Sequence, residues 1–418
     1  MHITQAVSLF SNASSFGPRA SSTKMQETPL QNRSLPTAAA ERTDRYIYIA
    51  CPWTSVGGGM YKVADYLIQS QTADPPAHTA QLRPLDSRGG ASAVFSLWIL
   101  LTALAKIVRG RVDGRLAGVH VNMAERMSLF RKGSIIAACR ILGVPVVLHL
   151  HAQMKGFYGR LYAPLQRLTR WVFSAADRVV VIGPAARAFV TQELRVPADR
   201  VDILINGVPE ATEPRRKAEP YGVQRVLFLG NLSERKGVPD LLRALARPGF
   251  DRKRLEVTIA GGGDVAGYQA LARELGIADF VRLPGWCDQA KTARLLGQTD
   301  VLVLPAYDEV LPLVILEALA NGVAVVCTAV GELPSLLTDD VDVVYVTPGD
   351  IGSIAAGLQK VLGQPELRQT LEHNGRALYE RQFSLSQFFA GTARIHRRTF
   401  GIAGHPVERA ARAPEPPL

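Results

Sequence analysis

Cysteine, aromatic residues and long apolar runs are all scarce in this sequence of 418 residues. Aromatics make up 7% of it, and its four cysteines, Cys51, Cys139, Cys287 and Cys327, form no CxxC pair. Such isolated cysteines exclude a disulfide scaffold and a cysteine zinc site, and they are typical of a reducing cytoplasm. The most apolar run, residues 93–105, is shorter than the roughly 20 residues of a membrane span. The N-terminus lacks a basic segment followed by an apolar one. We therefore expect a soluble or peripheral protein without a secretory leader.

Acidic residues are fewer than basic ones, 37 against 48, which gives a net charge of +11. This excess favours anionic partners, whether nucleic acid, anionic lipid or phosphorylated ligands, and charge alone does not choose among them. The apolar share of 47% and the charged share of 20% are typical of globular proteins. A chain of this length exceeds one compact core, which indicates two domains.

Short β-branched runs alternate with longer amphipathic stretches along most of the chain. Nearly continuous apolar strands separated by helices are typical of parallel sheets that are covered on both faces. The sequence therefore predicts an α/β fold with two doubly wound, Rossmann-like domains that face a central cleft. The predicted strands are 46–50, 118–122, 144–151, 178–182 and 201–205 in the first series, and 225–229, 256–260, 280–283, 301–304, 324–327 and 343–346 in the second.

Composition sets the domain boundaries. Aperiodic segments rich in small and polar residues or in proline flank the two series, and a break rich in proline and charge separates them. The predicted parts are a disordered extension at 1–44, an N-terminal Rossmann-like domain at 45–208, a linker at 209–222, a C-terminal Rossmann-like domain at 223–383, a helix at 384–402 that packs back on the N-terminal domain, and a disordered tail at 403–418.

Two glutamates follow a strand of the second series, in the segment YDEVLPLVILEALANG. Glu309 falls in the loop after the strand, and Glu317 lies inside the helix that the loop opens. Free N–H groups of Leu311, Leu313 and Val314 near the start of this helix favour a phosphate. Carboxylates accept hydrogen bonds from sugar hydroxyls. The alternative, a capping acid and an exposed helix residue, is less favoured because the surrounding PLVILEALA is apolar.

Two further loops after strands have residues suited to binding a ligand. FLGNLSERKG contains Lys236, a compact cation that can reach two phosphate oxygens, although a loop lysine is commonly just solvated. VGGGM contains Gly58 and Gly59, which allow a ligand to approach the backbone closely; the alternative is a plain strand–helix connection. This motif is not GxGxxG, which counts against a dinucleotide cofactor.

Two histidines two residues apart, His149 and His151, share one face at the end of a predicted strand. His151 is placed to reach the cleft, and His149 lies one step deeper. Two histidines on one face would permit a metal site, but the sequence offers no third ligand nearby, so we predict no metal. The alternative is a pair of core histidines.

These motifs carry a resemblance to a known family. YDEVLPLVILEALANGVAVVCTAVGELPSLL resembles the donor-binding segment of the retaining family 4 glycosyltransferases, which have the GT-B fold and include bacterial mannosyl- and glucosyltransferases and sucrose synthases. VGGGM, LHLHAQMKGFY and FLGNLSERKG are similar to other motifs of the family and stand in its order. The resemblance extends over residues 46–399. The sequence departs from the family at Val310, where Gly is common, and at Asn231, where Arg is usual.

The resemblance implies roles for these residues in transferring a hexose from a nucleotide-diphosphate sugar, with no other cofactor. Lys236 would neutralise the donor diphosphate, Glu309 and His151 would orient the sugar, and Glu317 would hold the ribose. The 45–208 domain would then face the acceptor, and the 223–383 domain would bind the nucleotide sugar. The implied donor-binding set is Gly58, Gly59, Asn231, Lys236, Glu309, Leu311, Pro312, Leu313, Val314 and Glu317.

One segment of the first domain is similar to segments in family members that build exopolysaccharide units on lipid diphosphate carriers. The resemblance there rests on VHVNMAERMSLFRKGSI, in which Asn122, Arg131 and Lys132 are candidate acceptor-binding residues. The cation pair would hold the pyrophosphate of a polyprenyl-diphosphate-linked glycan; the alternative is a basic helix cap.

An apolar helix followed by cations suggests where the protein works. Residues 93–105, followed by Lys106, Arg109, Arg111 and Arg115, are typical of a helix on an anionic membrane surface, and a buried core helix is the alternative. We expect a cytoplasmic protein, peripheral at the inner face of the cytoplasmic membrane.

Two other classes of function remain open. A nucleotide-sugar epimerase of the same architecture would bind a similar donor, but the sequence shows no second acidic cluster for its acid–base chemistry. A non-catalytic polyanion-binding protein would explain the charge. Its basic residues are dispersed, however, and no aromatic–basic platform is present, so nucleic acid is not an expected partner.

Overall fold

The computed structural model describes most of the chain between the two ends. The extension at 1–44 and the tail at 403–418 lie outside the described residues apart from Asp44 and Ala403, and so do residues 217–221 of the predicted linker and the first residues of the VGGGM motif. The described residues are 44–53, 58–71, 79–89, 93–216 and 222–403.

Two six-stranded parallel sheets organise the described chain, which confirms the predicted α/β fold class with two Rossmann-like halves. We call residues 44–208 the first half and residues 209–383 the second half. The strands are β1 (Tyr46–Cys51), β2 (Gln81–Asp86), β3 (Leu116–Met123), β4 (Val146–Leu150), β5 (Arg178–Val181), β6 (Val201–Ile203), β7 (Gln224–Leu229), β8 (Leu255–Ala260), β9 (Val281–Gly285), β10 (Val301–Leu304), β11 (Ala324–Thr328) and β12 (Val344–Val346).

Helices connect the strands and cover both faces of each sheet. They are α1 (Gly59–Gln69), α2 (Ala93–Val112), α3 (Met127–Leu142), α4 (Met154–Gly159), α5 (Ala163–Ala175), α6 (Pro184–Ala188), α7 (Val238–Ala246), α8 (Val265–Glu274), α9 (Gln289–Gln298), α10 (Leu313–Ala320), α11 (Leu333–Leu336), α12 (Ile351–Gly363), α13 (Pro365–Leu378) and α14 (Leu385–Phe400).

The strand order of each sheet places a ligand-binding crevice at the predicted motifs. The first sheet has the order β2-β1-β3-β4-β5-β6 and the second has β12-β11-β10-β7-β8-β9. The direction of winding therefore reverses between β1 and β3 in the first sheet and between β7 and β10 in the second. Ligands of doubly wound proteins bind beyond the carboxyl ends of the strands at such reversals. The loop that contains Gly58 and Gly59 follows β1, the loop that contains Lys236 follows β7, and the loop that contains Glu309 follows β10. We call them the glycine loop, the lysine loop and the Glu309 loop.

Burial on both faces explains the continuous apolar runs of the first half. Strands β1, β3, β4 and β5 are buried along their whole length. One face packs against α2, α3 and α5 through side chains such as Ile107, Ile136 and Phe173. The other face packs against α1 and α14, with Phe388 and Ile395 in the same cluster as β1. The last helix thus lies on the first half of the protein.

Strand β2 is the one strand of the described sheets that the sequence analysis missed. In its sequence, QLRPLD, only Leu82 and Leu85 are buried, and Pro84 lies between them. Proline removes a backbone donor, so within sheets it is confined to edge strands and bulges. Strand β2 pairs with β1 alone and forms the edge of the first sheet, where the proline is tolerated.

Candidate active site

A cavity of about 660 Å³ lies at the carboxyl ends of both sheets, and both halves contribute to its lining. Trp286 and Asn206 also line it. The structure therefore brings together residues that are up to 259 positions apart in the chain, from Gly58 to Glu317. The predicted residues that line the cavity are Gly58, Gly59, His151, Asn231, Lys236, Glu309, Leu311, Pro312, Leu313, Val314 and Glu317.

The Lys236 ammonium and the Glu309 carboxylate form an ion pair at the centre of the second half's wall. Arg235 adds a second cation, with its Nη1 3.5 Å from Oε1 of Glu309. Only 12% of the Lys236 side chain and 14% of the Glu309 side chain are exposed. The pair is therefore shielded from solvent screening, and it holds one positive and one negative group ready for an ionic and hydroxyl-rich ligand.

A glycine allows the lysine loop, which follows β7, to lie close to the Glu309 loop, which follows β10. Lys236 ends a 3-10 turn, and Gly237 follows it with φ of +70°. A Cβ at Gly237 would collide with the carbonyl group of Pro305, directly after β10. A side chain there would force apart the loops after β7 and β10, so the ion pair depends on glycine at this position.

The start of α10 faces the same cavity. Pro312 precedes the first helical residue, and Leu313 and Val314 form the first turn. Helices leave their first N–H groups without intrahelical partners, and the dipole favours an anion there. The rest of α10 is anchored by buried Ile315, Leu316 and Leu319, so the cavity receives the end of a rigid helix.

Glu317 forms an ion pair with Lys62, which comes from α1 of the first half. Burial opposes the charge of Lys62, but the Glu317 carboxylate and the Tyr66 hydroxyl outweigh burial, and the pKa of Lys62 is raised above its ordinary value. The sequence analysis missed Lys62. Its position three residues after Gly59, on the helix that the glycine loop opens, is the signal that would have pointed to it.

His151 follows β4 and is half-buried, whereas His149 is fully buried one step back along the strand. The Nε2 atom of His151 lies 2.8 Å from Oδ1 of Asn122. Burial is the main cause that lowers the pKa of His151 to about 3, and the nearby His120 and the positive charge of Lys132 contribute to the same shift. His151 is therefore neutral at pH 7.

A chain of three buried histidines lies behind His151. Nδ1 of His120 is 2.8 Å from Nε2 of His396, and Nε2 of His120 is 3.2 Å from Nδ1 of His149. The rings of His149 and His151 are in contact, with their centroids 4.0 Å apart and their planes tilted by 40°. The alternative interpretation of core histidines thus describes His149 and not His151.

The expected acceptor-binding cation pair is wrong for Lys132. This lysine is fully buried and its ammonium donates to the backbone carbonyl of Asn122. Burial lowers the pKa of Lys132 to about 8. Successive residues of a helix face different directions, so α3 presents Arg131 partly to solvent and turns Lys132 inward. Asn122 is buried too and contacts His151 rather than open space.

Further contacts hold the two halves together beside the cavity. Nε2 of Gln153 donates to the carbonyl of Glu309 at 2.5 Å. The Glu332 carboxylate accepts from the backbone N–H groups of Ala185 and Ala186, at 3.0 and 2.7 Å, at the start of α6. These bonds join the loops after β4 and β5 of the first half to the loops after β10 and β11 of the second half. The two halves are therefore in direct contact beside the cavity.

A larger hollow, of about 930 Å³, lies at the opposite end of the second sheet. Its charged lining is internally paired: Arg215 with Glu372 and Arg216 with Asp300. We interpret it as the place where the start of the linker docks. Among the described residues, no group of three or more His, Cys, Asp or Glu side chains is arranged to hold a metal ion.

Two family models match the chain: Glycosyltransferase Family 4 over residues 92–212 and Glycosyl transferases group 1 over residues 210–378. An uncharacterized glycosyltransferase of Methanocaldococcus jannaschii is 26% identical over 304 residues, which cover 68% of this chain and 76% of the relative. The D-inositol 3-phosphate glycosyltransferase of Frankia alni is 30% identical over 296 residues, 64% of this chain and 72% of that protein.

Solved structures share the fold. Sucrose-phosphate synthase from Thermosynechococcus elongatus superposes with a TM-score of 0.67 at 19% identity, over 85% of this chain and 98% of that one. Anabaena HepE, solved in complex with UDP and glucose, gives 0.66 at 17% identity, over 85% of this chain and all of that one. The chain therefore belongs to the group 1, family 4 glycosyltransferases, and it is a glycosyltransferase of the GT-B fold.

Proposed function

We propose that this glycosyltransferase moves a hexose from a nucleotide-diphosphate sugar to a glycan acceptor with retention of the anomeric configuration. The observation that carries the proposal is the grouping of Lys236, Glu309, Glu317 and the first turn of α10 around one cavity. This set offers a cation and N–H groups for a diphosphate, and carboxylates for the hydroxyls of a sugar and a ribose.

In the proposed complex, each part of the donor has its own partner. The diphosphate lies between Lys236 and the N–H groups of Leu313 and Val314, the ribose hydroxyls bond to Glu317, and the hexose lies between Glu309 and His151. The Lys236–Glu309 pair separates as the donor enters, because the phosphate replaces the carboxylate as the partner of the ammonium.

The proposed chemistry needs no protein nucleophile. The bond from the anomeric carbon to the β-phosphate oxygen breaks, and an acceptor hydroxyl oxygen bonds to that carbon on the same face. The acceptor proton passes to the leaving phosphate. The protein contributes alignment of the reactants and stabilisation of the charge that develops on the diphosphate. Lys236 and the α10 amides supply this stabilisation, and no metal is required in the proposal.

The exposed surface of α2, α3 and α5 is the observation that supports an acceptor located at a membrane. Helix α3 packs between α2 and α5, and 58% of Leu97 and 63% of Trp98 on α2 are exposed although other α2 residues enter the core. Residues 93–176 contain twelve Lys and Arg but two Asp and Glu. The exposed apolar residues of this surface are Val94, Phe95, Leu97, Trp98, Leu101, Val108 and Val112 on α2, Met127, Phe130 and Ile141 on α3, and Leu168 and Trp171 on α5.

An apolar and basic surface of this kind suits the anionic inner face of the cytoplasmic membrane. The proposed acceptor is accordingly a glycan on a polyprenyl diphosphate, and the proposed process is cell-surface or exopolysaccharide biosynthesis. In the described part of the chain, no helix is long and apolar enough to cross a membrane. The surface would hold the protein reversibly.

A donor screen tests this function. The full chain is titrated with GDP-, UDP- and ADP-sugars, and binding is followed by thermal shift and then by release of the sugar without acceptor. We expect one base to stabilise the protein and Lys236→Ala to abolish the shift. Lys360→Ala, which removes an exposed ion pair with Asp340, is the matched control and should keep the shift. Absence of a shift with every nucleotide sugar would overturn the proposal.

A further inference from the structure

The side chain of Asn122 is held between two fixed groups at the end of β3. Its Oδ1 lies 2.8 Å from Nε2 of His151, and its Nδ2 lies 3.4 Å from the carbonyl oxygen of Ala50. A carbonyl oxygen only accepts hydrogen bonds, so it determines that the amide nitrogen faces Ala50 and the amide oxygen faces His151. An amide oxygen also only accepts. Nε2 of His151 must therefore carry the proton that it donates to Asn122.

A second proton on His151 is opposed by its surroundings. The groups around its ring on the first half are His149, His120 and Lys132, and Lys132 is the charged one. The Lys132 ammonium donates to the backbone carbonyl of Asn122, the residue whose side chain bonds to His151. A buried cation at this place disfavours a second one on the imidazole. The ring therefore holds one proton, on Nε2, and Nδ1 keeps its lone pair.

We propose that Asn122 is a positioning residue that fixes the tautomer of His151, so that Nδ1 of His151 accepts a hydrogen bond from a hydroxyl of the donor sugar. The inference rests on the proposed function in one respect, that the donor sugar lies beside His151. It gives Asn122 and Lys132 a role in donor choice in place of the predicted role in acceptor binding.

The fixed tautomer determines which sugars fit. A hydroxyl supplies the proton that Nδ1 needs, whereas a carboxylate at the same place brings only acceptors and a charge that repels the lone pair. Sites built to bond a substrate hydroxyl discriminate strongly against analogues that lack it. We therefore expect the enzyme to prefer a nucleotide hexose over the matching nucleotide hexuronate by at least about 100-fold in kcat/KM.

The tautomer can be observed directly in the unliganded protein. The full chain is labelled with ¹⁵N-histidine, and the signals of His151 are assigned by comparison with His151→Gln. At pH 7 we expect a neutral imidazole with a protonated Nε2 and an unprotonated Nδ1. A protonated Nδ1, or an imidazolium, would overturn the proposal. This measurement does not require a donor, so it stands even if the proposed function fails.

Substitution of Asn122 tests the effect on donor choice. In Asn122→Asp the new carboxylate favours a second proton on His151, which turns Nδ1 into a donor. The probes are UDP-glucose with UDP-glucuronate, or GDP-mannose with GDP-mannuronate, whichever base binds. We expect the hexuronate to hexose ratio of kcat/KM to rise at least about tenfold. A merely structural role would lower both rates and leave the ratio unchanged, which would contradict the inference.

Asn206 offers a matched control. It is also buried and also lines the cavity, so Asn206→Asp adds the same charge at another place in the cleft. We expect no rise in the hexuronate to hexose ratio. A rise equal to that of Asn122→Asp would mean that His151 is not the group responsible. If no nucleotide sugar is turned over by the wild-type enzyme, the proposed function fails, and the histidine spectrum alone decides the tautomer.

Discussion

Lys62 and Glu317 form an ion pair across the cleft, one on the helix after the glycine loop and the other on the helix after the Glu309 loop. The Lys62 side chain is 37% exposed and that of Glu317 is 13% exposed, so solvent screens the pair only in part. Glu317 has two carboxylate oxygens, and the contact with Lys62 uses Oε1. The pair thus joins the halves while a second oxygen remains for a ribose hydroxyl.

The Lys62–Glu317 pair should be measurable as a coupling in stability. We expect a double-mutant cycle of Lys62→Met and Glu317→Gln to give a coupling of about 1 kcal/mol in the free energy of unfolding. The same cycle on Lys360 and Asp340, an exposed pair, should give less than about 0.5 kcal/mol. Urea unfolding curves supply both numbers, and equal couplings for the two pairs would contradict the interpretation.

Lys236→Ala removes the cation that we place on the donor diphosphate. The loss should be about 2–4 kcal/mol of transition-state stabilisation, the range for a single electrostatic group in a water-excluded site. Steady-state kcat/KM for donor cleavage measures it. Asn231 lines the same cavity, so Asn231→Arg should restore part of the loss in the Lys236→Ala background. No restoration would mean that residue 231 does not face the diphosphate, and retained activity in Lys236→Ala would remove the lysine from the mechanism.

Sedimentation with liposomes tests the membrane surface of α2, α3 and α5. Binding should require anionic lipid and weaken by about 0.5 M salt, because salt shortens the range of the field. Leu97→Ser with Trp98→Ser should reduce it, as should replacing Arg109, Arg111 and Arg115 with Gln. Val341→Ser, an exposed apolar residue of the second half, is the control and should have no effect. If the protein does not sediment with anionic liposomes at low salt, the proposed location is wrong.

Acid should destabilise the protein through His120, His149, His151 and His396. Burial lowers the pKa of His120 to about 4, and burial with nearby charge lowers that of His151 to about 3. The pKa values of His149 and His396 are lowered well below the usual range. In the unfolded chain these histidines titrate near the usual value of about 6.5. Below that pH they bind protons in the unfolded state but remain neutral in the folded state. Each histidine that stays neutral in the folded state therefore lowers the free energy of unfolding by about 1.4 kcal/mol for each unit that the pH falls below about 6.5.

Urea midpoints at pH 7, 6 and 5 measure this loss, which should grow as the pH falls from about 6.5 towards 4. His396→Phe should remove about a quarter of the slope. His373→Gln is the control, since His373 is exposed, and it should leave the slope unchanged. A stability that stays flat between pH 7 and 5 would mean that the four histidines are charged or accessible in the folded protein.

The sequence allowed the fold to be predicted wherever burial on both faces makes a strand continuously apolar. Strand β10, Val301–Leu304, was predicted to the residue, because both its faces lie in the core. Strand β4 was predicted too long: it ends at Leu150, and His151 leaves the sheet. Strand β2 was missed because an edge strand tolerates Pro84 and polar residues.

Site residues were predictable where they belong to one loop, and not where they depend on distant contacts. Lys236 and Glu309 follow strands that are neighbours in the sheet, so strand order brings them together. The partner of Glu317 is 255 residues away, and nothing local to either residue reveals it. Lys132 has the charge of a surface residue, and only the packing of α3 shows that it is buried beneath Asn122.

The central claim is that the cleft around Glu309 cleaves a nucleotide-diphosphate hexose with retention. Time-resolved proton NMR of donor cleavage by the full chain tests it most directly, because one series of spectra reports both the rate and the anomer that is released first. An α-linked donor should give the α-hexose first. Glu309→Ala should lose more than about 90% of kcat/KM, a cost above roughly 1.4 kcal/mol, while far-UV circular dichroism shows that the variant remains folded. First release of the β-hexose, or more than a tenth of wild-type kcat/KM in Glu309→Ala, would contradict the account.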